Sequence, residues 1–331
     1  MPSDRALLVT AGGGIGDTLL SGVVGRALRA RFAAVDAVVL PAHAGLAARM
    51  PMFEQRLVLG ERLPHQYDAA IVTWATLQTA LLPFWARIPV RVGQASRLYS
   101  ALFTRRVVVR SERGDRTTPW TQILLDYART IGCDLDDPIP EFVPNDDDIR
   151  DADALLHVHG SGDAFYLLHP TRAQSVQHTR WPIEPFVSLA RELARRDGIP
   201  IFVTGAAGDA TIADAIAERA GRGVIAVAGA TSIGAFGALA GRARAVIAVD
   251  SGPMHVAAAV GAPTVGIFAL QSDEPDRWAP QGRRVAIVRP AYPCPPWHRK
   301  ETCPDFACVR ELDATRIVAT LDGLLGAPAE P

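Results

Sequence analysis

The chain has 331 residues, enough for roughly two domains at about 150 residues each. Its composition, 49% hydrophobic and 21% charged, excludes disorder, collagen and coiled coil, and four cysteines in such a length are no disulfide framework. Its 34 basic and 35 acidic residues leave a net charge of -1, which argues against a dedicated nucleic-acid binder. No apolar run approaches the roughly 18 residues of a membrane span, and MPSDRALLVT has neither a basic region nor the long apolar core of a secretory signal. The expectation is a soluble, cytoplasmic protein. Lys300 is the only lysine, so a cation needed at a site is expected to be arginine.

Ala6 to Thr10 reads as a buried parallel strand that ends in glycines. Gly12 to Asp17 reads as a tight loop, and Thr18 to Phe32 as a helix burying Leu19, Val23, Leu28 and Phe32. Strands are expected at Val35 to Leu40, Tyr67 to Thr73 and Val90 to Gly93. Residues 133–153 are acidic and Pro-rich and mark a boundary zone, with Asn145 or Asp146 capping a short helix. The alternation then restarts. Strands are expected at Phe165 to Leu168, Ile201 to Thr204, Val224 to Val227, Ala245 to Val249 and Thr264 to Phe268. Helices are expected at Ile183 to Arg196, 209–220, Ile233 to Leu239 and Pro253 to Val260. Alternation of this kind gives an α/β protein with parallel sheets. Two halves of similar size imply two Rossmann-like domains facing a central cleft, 1–155 and 156–331, with ligands beyond the carboxyl ends of the strands.

Three segments carry most of the chemistry. AGGGIGD, residues 11–17, lets backbone N–H groups approach a ligand, but Asp17 stands where a dinucleotide fingerprint needs its third glycine. A carboxylate there suits a helix cap or a general base better than a pyrophosphate partner. In residues 169–182, Thr171, Arg172, Gln174, Ser175, His178 and Arg180 form a donor-rich stretch that could ring an anion, and Pro182 is placed to open a helix. In residues 245–268 an apolar strand stops at Asp250, and Ser251, Gly252 and Pro253 start a small-residue helix whose N-terminus suits a diphosphate. Asp250 and His255 lie near that mouth, with capping and a satisfied core imidazole as their plainer roles. Cys294, Cys303 and Cys308 with His298 do not have the spacing of a standard zinc site, so no metal is assigned. An arginine group from Arg87 to Arg116, including Arg97, could greet an anionic acceptor or a membrane surface, or simply be a solvated face.

Together these segments resemble glycosyltransferase family 9, the ADP-heptose:lipopolysaccharide heptosyltransferases. The matching stretches are VTAGGGIGDTLLSGVVGRALRARF, RWPIEPFVSLARELA, VTGAAGDATIADAIAE and VDSGPMHVAAAVGAPTVGIF, together with the cysteine-containing tail YPCPPWHRKETCPDFACV. The resemblance implies a GT-B fold with the acceptor on the N-terminal domain and the donor on the C-terminal one. The last helix is a candidate to pack back on the first domain. It implies an inverting, metal-independent transfer of a sugar, heptose from ADP-heptose, to a glycan or glycolipid hydroxyl in lipopolysaccharide synthesis. No cofactor is implied, and an inner-face membrane contact is compatible with it. Asp17 matches the catalytic base. Asp250, Ser251, Gly252 and His255 match the donor diphosphate and sugar region, and Asp209 with Gly205 falls at the donor ribose. Thr171, Arg172 and Arg180 complete the donor set; Gly13, Gly14 and Arg97 are the acceptor candidates. Two positions depart from the family pattern: Thr10 and Ala11 precede the glycines where arginine is usual, and Thr179 replaces a lysine aimed at the donor phosphate. Competing classes are a small-molecule or other non-lipopolysaccharide acceptor, a nucleotide-sugar epimerase or hydrolase, a non-catalytic sugar-nucleotide binder and a Rossmann dehydrogenase.

Overall fold

The computed structural model describes residues 4–162, 164–172, 181–270, 273–291, 295, 303 and 305–326. The chain forms two compact units, Met1–Val143 and Pro144–Pro331.

The first unit is built on six parallel strands: β1 (Arg5–Val9), β2 (Ala34–Val39), β3 (Arg56–Val58), β4 (Ala69–Val72), β5 (Val90–Gln94) and β6 (Arg105–Val107). Their order is β3-β2-β1-β4-β5-β6. Its helices are α1 (Ile15–Leu20), α2 (Gly22–Arg29), α3 (Ala44–Ala47), α4 (Leu77–Trp85) and α5 (Trp120–Arg129). Leu7, Leu8 and Val9 are fully buried, as expected for a strand covered on both faces. Asp36 is a buried carboxylate on β2, the second strand from one edge of this sheet. Arg5 Nη1 donates to it at 2.9 Å, Tyr67 Oη at 2.8 Å and the Gln55 N–H at 3.0 Å, so its desolvation is compensated. Burial, with the hydrogen bond to Asp36, pushes the Tyr67 hydroxyl well above its ordinary pKa.

The second unit repeats the plan. Its strands are β7 (Tyr166–His169), β8 (Ile201–Val203), β9 (Val224–Ala226), β10 (Ala245–Val249), β11 (Thr264–Ile267) and β12 (Val285–Val288), in the order β12-β11-β10-β7-β8-β9. Every described pairing is parallel. The helices are α6 (Asp146–Val158), α7 (Glu184–Asp197), α8 (Ala210–Ala220), α9 (Ile233–Arg242), α10 (Gly252–Ala259), α11 (Pro275–Trp278), α12 (Ala307–Arg310) and α13 (Ala314–Gly326). A core of Phe186, Leu189, Ile201, Ile216, Ile247, Ile267, Val309 and Leu321 packs helices onto the sheet.

The structure decides several local details that the sequence left open or placed differently. The first helix begins at Ile15, which moves Asp17 from a loop into a helical first turn, and it breaks at Ser21 into α1 and α2. The Ser21 hydroxyl donates to Thr18 O at 2.6 Å at this break. Asn145, not Asp146, caps α6: its side chain accepts the Asp148 N–H at 3.0 Å while Asp148 Oδ2 takes the Asn145 N–H. That helix packs on α9, so the segment from Pro144 belongs with the second unit. Pro182 precedes α7 by two residues, and Pro185 takes its first turn. The last helix, α13, packs on α7 and β12 of its own unit. Strands β3, β6 and β12 were not anticipated; β3 and β6 are three-residue edge strands carrying arginine, too short and polar to show a buried pattern.

Candidate functional site

In each sheet the strand order reverses once, between β1 and β4 in the first unit and between β7 and β10 in the second. Chain connections leave in opposite directions on either side of such a point, which opens a crevice at the carboxyl ends of the strands. The segments singled out from the sequence follow β1, β7 and β10, so they emerge at these two points.

In the first unit the chain leaves β1 through Thr10 and Ala11 into three glycines. Gly13 has φ +68°, a left-handed conformation, and a Cβ there would meet the Asp17 carboxylate at 2.5 Å. Only glycine therefore lets the loop fold back over Asp17. The Gly14 N–H donates to Asp17 Oδ2 at 2.8 Å, with Asp17 in the third position of α1. The carboxylate thus caps the helix, as the plainer reading held. Burial nevertheless holds its pKa above the ordinary carboxylate value, outweighing the Gly14 and Asp17 N–H groups that favour the charged form. A more basic carboxylate is a better proton acceptor near neutrality. Gly12 is needed for a different reason: a Cβ there would meet Trp74 Cδ1 at 1.9 Å. Trp74 lies two residues past β4, and its half-exposed indole lies on the backbone of the glycine loop. Sequence reasoning passed over Trp74; a tryptophan just after a buried strand was the available signal. Gly13 and Gly14 are exposed, and Arg97 follows β5 on the same carboxyl edge of the sheet. The Arg97 guanidinium lies 3.6 Å from Glu112.

In the second unit, Thr171 and Arg172 follow β7. The Arg172 guanidinium spans two carboxylates: Nη2 donates to Asp250 Oδ2 and Nη1 to Asp273 Oδ1, both at 2.7 Å. Asp273 Oδ2 also accepts the Leu270 N–H at 3.1 Å, and burial holds its pKa above the usual carboxylate range despite Arg172. Asp273 was not anticipated; its signal was an acid soon after β11. The expected open cation at Arg172 is instead engaged by two aspartates, which hold the end of β10 to the loop after β7. Asp209 is also engaged. It is buried, and its Oδ2 accepts the Thr171 hydroxyl and the Ala206 N–H, each at 2.9 Å. A Cβ on Gly205 would approach Asp209 Cβ to 2.8 Å, so the glycine admits this turn.

Ser251 caps α10 through its backbone while its hydroxyl donates to Val249 O at 2.9 Å. The first-turn N–H groups of a helix have no intrahelical acceptors, and Pro253 contributes none to begin with. His255 lies one turn inside this helix. It is buried, its Nδ1 has no hydrogen-bond partner among the described residues, and burial lowers its pKa to about 4. A pKa that low leaves the imidazole neutral near pH 7. His169 is held at about 4 by the same cause, but its Nδ1 lies 3.0 Å from Thr204 Oγ1.

Arg180, Gln174, Ser175, His178, Thr179, Cys294 and His298 lie outside the described residues. Cys303 and Cys308 are buried in the core of the second unit, and the Phe306 N–H donates to Cys303 Sγ at 3.3 Å. No cluster of metal-ligating side chains occurs among the described residues.

Residues 56–305 match the family model of glycosyltransferase family 9 (heptosyltransferase). Lipopolysaccharide heptosyltransferase 2 of Salmonella typhimurium is 26% identical over 319 residues, covering 86% of this chain and 87% of that protein. A family 9 glycosyltransferase structure from Veillonella parvula superposes with a TM-score of 0.81 at 17% identity, over 98% of both chains. The structure of E. coli ADP-heptose lps heptosyltransferase II does so with a TM-score of 0.77 at 22% identity, over 97% of this chain and 98% of that one. The two six-stranded parallel sheets are those of the GT-B fold. The chain is a glycosyltransferase and belongs to glycosyltransferase family 9.

Proposed function

We propose that this protein transfers heptose from ADP-heptose to a hydroxyl of a lipopolysaccharide-core glycolipid, with inversion at the anomeric carbon and without a metal. One observation supports the reading: a carboxylate whose pKa burial raises emerges at the switch point of the first sheet, and an N–H-rich helix end at that of the second. The heptosyltransferase relatives support the donor and acceptor classes.

In this mechanism the acceptor is held by the first unit near Gly13, Gly14 and Arg97. Asp17 takes the proton of the acceptor hydroxyl as its oxygen forms a bond to the anomeric carbon. The bond from that carbon to the diphosphate breaks, and ADP leaves with the electron pair. General-base assistance of this type is worth about 10²–10⁴-fold. The departing diphosphate gains charge, and the Ser251 and Gly252 end of α10 stabilises it through N–H groups and the helix dipole. Arg180 lies in the stretch that supplies a further cation. His255, neutral, presents Nδ1 to a donor hydroxyl. Arg172 acts by orienting Asp250, and Asp209 with Thr171 and Gly205 shapes the turn against which the ribose rests. The reaction takes place on the cytoplasmic side, at the membrane that carries the glycolipid.

Calorimetric titration with ADP-heptose, ADP-glucose, UDP-GlcNAc, GDP-mannose and NAD tests the donor assignment. Selective binding of ADP-heptose is expected, and preference for another nucleotide sugar would overturn it. Hydrolysis or epimerisation of the donor without acceptor would instead identify an enzyme that needs no second substrate.

A further inference from the structure

The outward side of α4 runs against the usual pattern for a helix on a sheet. It buries Thr79, Ala80 and Pro83 and turns Leu77, Leu81, Phe84 and Trp85 outward, at positions i, i+4, i+7 and i+8 of one stripe. Leu77 is 56% exposed, Phe84 43% and Trp85 72%. The short turn Leu98–Leu102 extends this surface, because Tyr99 Oη donates to Ala75 O at 2.6 Å and Leu98 is fully exposed. At the other end the Arg91 guanidinium lies 5.6 Å from the Phe84 ring centroid, and its Nε donates to Leu102 O at 2.8 Å. Helix, turn and the start of β6 are therefore one continuous surface.

The charge on this stretch is one-sided. From Ala69 to Ser111 the chain carries Arg87, Arg91, Arg97, Arg105, Arg106 and Arg110 and no acidic residue. Arg87, Arg105 and Arg106 are exposed and have no ion-pair partner among the described residues. Exposed Trp, Phe and Leu on one face with arginines beside them is the composition that settles at the headgroup boundary of a bilayer. The rings enter the acyl edge there while the guanidinium groups meet phosphate. No described helix is long and apolar enough to cross a membrane, so contact through this face is peripheral.

We propose that α4, the Leu98–Leu102 turn, Arg87 and Arg106, which the β5–β6 register puts on the α4 face of the sheet, form a docking surface for an anionic lipid bilayer. The proposal rests on the glycolipid-acceptor reading, since it places the first unit on the surface where such an acceptor is anchored.

The test is cosedimentation of the full chain with phosphatidylcholine vesicles and with vesicles also containing phosphatidylglycerol. Binding to the anionic vesicles alone is expected, weakening as salt rises. Replacing Arg87 and Arg106 by serine should weaken it about five-fold per arginine. The double variant Phe84→Ser, Trp85→Ser should abolish it, with the melting temperature and ADP-heptose affinity unchanged in both variants. Failure of the wild type to bind anionic vesicles, equal binding to both compositions, or variants that bind like wild type would each overturn the proposal. So would a wild-type dimer that these substitutions turn into monomer, which would assign the face to a second copy. Donor calorimetry and turnover on a delipidated acceptor saccharide need no vesicle, so they report on the proposed reaction separately.

Discussion

Arg172→Met tests the two-carboxylate arrangement at the donor side most directly. Methionine keeps much of the stem volume and removes the charge. Asp250 and Asp273 would then lose the guanidinium that each meets at 2.7 Å. Removing one partner of a buried ion pair costs about 3–5 kcal/mol. The Arg172 side chain is one-fifth exposed, so water recovers part of this and the lower end, about 3 kcal/mol, is expected. For a unit of this size that lowers the melting temperature by about 6–12 °C. One carboxylate can also relieve the repulsion by taking a proton. Asp273 is the one to do so, since its pKa already stands above the ordinary value. The variant's deficit should therefore shrink between pH 7 and pH 5, and Asp273→Asn in the Arg172→Met background should recover part of it at pH 7. Urea unfolding at both pH values reads these quantities. A loss below about 1 kcal/mol, or a deficit equal at pH 7 and pH 5, would refute the view that Arg172 compensates two desolvated charges.

Four further outcomes follow from the geometry. Asp17→Ala should lower turnover by about 10²–10⁴-fold while calorimetry finds donor affinity unchanged; near-normal activity would remove Asp17 from the mechanism. In the wild type, activity limited by Asp17 should rise with pH through a pKa above the usual carboxylate value, because the ionised form accepts the proton. Gly12→Ala should force the Trp74 indole off the glycine loop, raising the acceptor KM with little change in donor affinity; an unchanged acceptor KM would show that the indole's position is immaterial. His169 and His255 have pKa values of about 4 in the fold, below their unfolded value near 6.5. The unfolded chain thus binds more protons in that window, so stability is lost as pH falls from about 6.5 toward 4, by up to about 1.4 kcal/mol per pH unit for each histidine. Unfolding curves from pH 7 to 5, above most carboxylate titration, should show the slope, and His255→Gln should reduce it.

The α/β alternation and the central strands were legible because strands buried on both faces must be continuously apolar, as in ALLV before the glycines and AVIAV before Asp250. The glycine loop and the Ser251-Gly252-Pro253 turn were legible too, since backbone conformation and a helix start restrict residue choice locally. What the sequence alone determined was therefore which residues emerge at strand ends with reactive side chains: Asp17, Thr171, Arg172, Asp209, Asp250 and His255. It could not say what those side chains touch. Arg172 and Asp273 are 101 residues apart in the chain, and Thr171 and Asp209 are 38 apart. Their pairing depends on the order of strands in the sheet. That order made Arg172 a bridge between carboxylates, left Nδ1 of His255 without a partner among the described residues, and laid Trp74 on Gly12. A contact between distant segments carries no local pattern, so it was decided only when the β7–β10 and β1–β4 neighbours came together in space.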